Sequence, residues 1–70
     1  MITEIGIAAG EIWHYLDDNS GSATFDQLTK GIKQPKEIIL MSLGWLAREG
    51  HITLGTAETG YRATLSKREN

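Results

Sequence analysis

The chain has no cysteine, a single proline and only two histidines among its 70 residues. Without cysteine there is no disulfide framework, so the fold must be held by packing and the expected compartment is the cytoplasm. No run of about 18 apolar residues is present to span a bilayer. The start, Met1-Ile2-Thr3-Glu4, lacks the basic residues of a signal peptide. A zinc site would have to combine His14 with carboxylates such as Asp17 or Asp18. His14 and Asp18 stand four apart, a spacing that more simply gives a weak pair on a helix surface. Ser20, Ser22, Ser42 and Ser66 sit at no strand-to-helix elbow. The eight glycines form no phosphate-binding loop. These absences exclude an enzyme, a metal, a cofactor and a small-molecule substrate from the expectations, and a membrane with them.

What remains is enough for one domain over residues 1–70, ordered over about 3–65 with a frayed tail at 66–70. A core of this size buries roughly 60% of the unfolded chain's surface, near the lower limit for folding alone. Charge is uneven along the chain. Residues 1–29 carry five acidic residues and no Lys or Arg, whereas residues 30–70 carry all seven basic residues against four acidic ones. The net charge of −2 therefore hides a possible dipole. A basic face would be a nucleic-acid footprint, but dispersed bases are not such a face.

Hydrophobic spacing predicts the elements. Ile5, Ala8, Ala9, Ile12 and Leu16 share one face of a helix that Thr3 caps and that runs to Asp17 or Asp18. Trp13 and Tyr15 flank that face. Gly6 and Gly10, four apart, are expected to permit tight internal packing, because a helical glycine costs about 1 kcal/mol relative to alanine. Asn19-Ser20-Gly21-Ser22 is a turn cluster. Ser22-Ala23 is expected as a short extended piece. Thr24 and Gln27 have capping-box spacing, so a second helix starts near Phe25. Gly31 ends it and suits the left-handed position after a helix. Phe25, Leu28 and Ile32 face inward. Pro35 fits the first turn of a third helix that runs to about Glu49 and stops at Gly50. Two helices joined by so short a turn form a helix-turn-helix unit.

After Gly50 the period changes to two. Ile52 and Leu54, then Tyr61, Ala63 and Leu65, alternate with polar residues around Gly55–Gly60, which predicts a β-hairpin with a mobile tip. The whole reads as an α+β winged helix-turn-helix: three helices, then a β-hairpin wing, with a possible short strand before helix two. The segment Ile39-x-x-x-Leu43-x-x-Leu46-x-x-x-Gly50-x-Ile52 resembles the third helix and first wing strand of that superfamily. Together with Ile5-Gly6, Ala9-Gly10-x-Ile12-Trp13 and Leu43-Gly44-Trp45-Leu46-Ala47-Arg48-Glu49, it resembles a largely uncharacterised family of small stand-alone winged helix-turn-helix proteins of bacteria and archaea. That resemblance implies the fold and a presumption of DNA binding.

The leading expectation is a DNA-binding, transcription-related domain, with a protein-contact module as its alternative. In a helix-turn-helix the second helix of the unit reads the major groove through its N-terminal residues. Lys33, Gln34, Lys36, Arg62, Lys67 and Arg68 are the candidates for contacts to duplex DNA. The groove-facing arc of helix three, however, holds Leu40, Met41 and Gly44 with Glu37 and Arg48, and Trp45 lies at its margin. Direct readout favours Arg, Lys, Asn and Gln, which this arc has little of. Leu40, Met41, Gly44 and Trp45 are instead candidates for a protein interface, most simply a homodimer.

Overall fold

The computed structural model describes residues 2–58 and 60–66. Three helices, α1 (Ile2–Asp18), α2 (Phe25–Gly31) and α3 (Lys36–Arg48), join three strands, β1 (Ser22–Thr24), β2 (Ile52–Ala57) and β3 (Gly60–Leu65). The sheet is antiparallel in the order β1-β3-β2. The expected winged helix-turn-helix is thus present, with the short strand before helix two as its third strand.

One core joins every element. Ile12 and Leu16 of α1 meet Leu28 of α2, Ile39, Leu43 and Leu46 of α3, and Ala23, Ile52 and Ala63 of the sheet. Among the described residues, Ser42 is the one buried polar side chain. Its hydroxyl donates to the carbonyl of Ile38, 2.7 Å away, and lies 3.1 Å from the carbonyl of Ile5. A small, internally satisfied residue lets α3 lie close against α1 without an orphaned polar group.

Helix ends follow from local chemistry. Thr24 closes the predicted capping box: its Oγ1 accepts from the Gln27 N–H at 3.2 Å, and Gln27 Oε1 accepts from the Thr24 N–H at 2.8 Å. At the end of α3, the His51 N–H reaches the Leu46 carbonyl and the Gly50 N–H the Ala47 carbonyl. This is a Schellman closure, and Gly50 takes its left-handed position at φ 80°.

Several expectations need correction. Thr3 lies inside α1, which already begins at Ile2, so it caps nothing. Pro35 stands one residue before α3, in extended conformation at the N-cap place. The ladder pairs Gly55 with Arg62, Thr56 with Tyr61 and Ala57 with Gly60, so the strands run through the segment expected as the hairpin tip as far as Ala57 and Gly60. Ser66 is tied to the fold by its N–H, which donates to the His51 carbonyl at 2.9 Å. The remainder of the expected tail, with Lys67 and Arg68, lies outside the described residues.

The glycines divide differently from expectation. Gly31 is not left-handed; it closes α2 where a Cβ would overlap Cε2 of Tyr15 and stand 3.0 Å from Cζ. Gly6 and Gly10 are not tightly packed, for a Cβ at either meets nothing within 4 Å. Alanine substitutions should therefore move stability in opposite directions. Gly10→Ala is expected to stabilise by about 1 kcal/mol through helix propensity alone. Gly31→Ala is expected to destabilise by about 1–3 kcal/mol through overpacking against the ring. Thermal melts of the two variants beside the wild type check both signs.

Candidate functional site

Helix α3 has apolar residues on nearly all sides, and the fold covers only some of them. Ile38, Ile39, Leu43 and Leu46 are buried. Leu40, Met41 and Trp45 remain 46%, 42% and 47% exposed. The reason is geometric: α1 and the sheet occupy one side of the helix, and among the described residues no further element covers the other.

The uncovered residues border two apolar grooves on either side of the helix. One is a cleft of about 150 Å³ between α3 and the wing, lined by Phe25, Leu40, Leu43, Gly44, Leu54 and Tyr61. The other, of about 300 Å³, lies between α3 and the start of α1 and is lined by Ile2, Ile5, Gly6 and Trp45. Of the four interface candidates, Leu40 and Gly44 share the first groove and Trp45 lines the second. Met41 is exposed one helical turn before Trp45. Nothing stands within 4 Å of a Cβ built at Gly44, so this glycine leaves the middle of the strip open to a close approach.

Leu54 and Tyr61, which alternate with polar residues along the predicted hairpin, are 44% and 57% exposed. Both point to the same side of the sheet as Ile52 and Ala63. They lie far enough out on the wing to pass beyond the helices that cover those two. Phe25, half-buried, belongs to the same cleft. The signal for these residues was their nearness to the hairpin tip, since each strand residue advances about 3.3 Å.

The basic and polar candidates do not converge on this face. Gln34 donates from Nε2 to Glu11 Oε1 at 2.9 Å, which ties it to α1. Lys33 borders a shallow depression with Glu11 and His14. Lys36 holds its ammonium 5.9 Å from the centre of the Phe25 ring. Arg62, alternating with Tyr61 and Ala63, lies on the opposite side of the sheet and donates to Ser22 Oγ at 3.0 Å. Arg48, in the last turn of α3, is exposed. The described residues bring together no group of three or more His, Asp and Glu able to hold a metal ion, and no catalytic constellation. Among them, no helix is long and apolar enough to cross a membrane.

No curated protein and no solved structure matches the chain. A family model does, over residues 1–65: the three helices, the short first strand and the wing described above belong to a chain of the winged helix-turn-helix domain family DUF2582.

Proposed function

We propose that this domain is a non-enzymatic binding module of the cytoplasm, and that the outer face of α3 with the wing takes a protein surface, most simply a second copy of the chain. The observation that carries this reading is the apolar character of that face. Leu40, Met41 and Gly44 are uncovered where a DNA-reading helix would present Arg, Lys, Asn or Gln, and Leu54 and Tyr61 extend the apolar face onto the wing. Apolar and aromatic groups with few charges are the composition of interface cores. Gly44 favours the same reading, since a glycine within an exposed helix face costs stability unless a neighbour uses the space.

DNA binding is the second reading, favoured by the fold and by the basic excess after residue 29. Lys33, Lys36, Arg62, Lys67 and Arg68 would then supply phosphate contacts, and affinity would fall with salt at a log–log slope near −0.9 per contact. One experiment separates the two. The wild type is titrated with random duplex DNA at about 50 mM and 200 mM salt, and the same sample is sedimented over a concentration series. Dimerisation by roughly 100 μM without salt-sensitive DNA binding is the expected result. A monomer that binds duplex with a steep salt slope would reverse the order of the two readings.

A further inference from the structure

The two edges of the sheet are closed differently. The edge strand β1 has three residues, and its Thr24 N–H is already taken by the Gln27 side chain. The edge strand β2 has six residues. Which of its backbone groups are free follows from the bonds of β3. The Leu65 N–H donates to the Gly21 carbonyl, and the Ser66 N–H donates to the His51 carbonyl. Odd-numbered residues of β3 therefore face β1, and even-numbered ones face β2. Thr53 lies opposite Thr64 and Gly55 opposite Arg62, so the odd residues of β2 exchange bonds with β3. Ile52, Leu54 and Thr56 turn their N–H and C=O groups outward.

Natural edge strands are guarded by Lys, Pro, bulges or short length. Ile52–Ala57 contains no charge and no proline, and its ladder runs unbroken from Ile52 opposite Leu65 to Ala57 opposite Gly60. We propose that this edge is a self-pairing site: β2 pairs antiparallel with β2 of a second copy, joining the two sheets into one. The proposal rests on the reading that a second copy is the partner, and it specifies how that copy docks.

The register admits a second copy, and the continuity of Leu54 with the apolar α3 cleft favours it over an unrelated strand. Setting Leu54 opposite Leu54 of the second copy puts Ile52 opposite Thr56, so each outward N–H meets an outward carbonyl. The outward groups are symmetric about Leu54, as a two-fold contact requires. No like charges meet, because the paired segment carries none. The two-fold axis runs perpendicular to the joined sheet, so both helix layers fall on one side. Leu54 points to that side and lines the α3 cleft with Leu40 and Gly44. The pairing therefore sets the two clefts side by side, with Leu54 against its counterpart, and continues the apolar face across the dimer.

Two measurements test this on the intact chain. Leu54→Pro removes an N–H that β3 does not use, and proline is tolerated at such edge positions, so the fold is retained. Sedimentation of this variant should show a dimer weakened by roughly 100-fold, from lost central hydrogen bonds and the ring's bulk. On the wild type, amide exchange followed by NMR over a concentration series should show protection at Leu54 and Thr56 rising with the dimer fraction. Thr53 and Gly55 should be protected at every concentration. A dimer whose Leu54 and Thr56 amides stay unprotected, or one that survives Leu54→Pro unweakened, overturns edge pairing and leaves the α3 reading standing. A chain still monomeric at roughly 1 mM, where even weak self-association shows, overturns both.

Discussion

Leu46→Ala should cost about 2–5 kcal/mol, enough to unfold much of the population of a domain this small. Leu46 is 3% exposed and sits in the one cluster that joins Ile12 and Leu16 to Leu43 and Ile52. Truncation removes the transfer free energy of the lost carbons and leaves a cavity that the surroundings fill only in part. The Schellman closure aggravates the loss, because the His51 N–H is bonded to the carbonyl of this same residue, so Leu46 anchors both the helix core and the turn into β2. Urea unfolding followed by circular dichroism checks it. A midpoint within error of the wild type would show that Leu46 contributes no core packing.

The double variant Leu40→Glu with Met41→Lys should behave in the opposite way. Both residues are close to half exposed, so the monomer should lose no more than about 0.5 kcal/mol, as surface substitutions usually do. Association should weaken by at least about 100-fold, because an interface closing on this strip would bury charges that cost several kcal/mol to desolvate. Opposite charges meeting across a two-fold would recover only part of that cost. Sedimentation beside unfolding measurements separates the two effects. A variant that unfolds no more easily and still dimerises like the wild type would remove the strip from the interface. Protection of the Leu54 and Thr56 amides in the dimer, rather than Leu54→Pro alone, tells helix contact from edge pairing, because Leu54 also lines the α3 cleft.

Much of this fold was legible in the sequence because its signals are local. The 3.6-residue spacing of Ile5, Ala9, Ile12 and Leu16 marks α1, and the change to alternation after Gly50 marks the wing. Capping by Thr24 and Gln27 depends on atoms three residues apart, and Gly50 closes α3 through bonds reaching no further than five residues. The exposed apolar face of α3 was legible as well, from the surplus of apolar residues over the cover that one small domain provides. The glycines were misread for the complementary reason. Whether a Cβ has room depends on Tyr15 at Gly31 and on empty solvent at Gly6 and Gly10, and no local pattern carries that information.

The sequence by itself determined the order of the elements, the ends of α2 and α3 and the residues competing for the core, because backbone capping and side-chain periodicity act within a few residues. Only the tertiary structure decided which competitors were covered. Ile38 is buried and Leu40 is not, and Ile52 is buried while Leu54, on the same face of the same strand, is not. It alone also decided that β3 lies between β1 and β2, which leaves the backbone of Ile52, Leu54 and Thr56 turned outward. Burial and strand order are set by where distant segments end in space, and with so few elements to share out, every apolar face beyond their reach is left to solvent or to a partner.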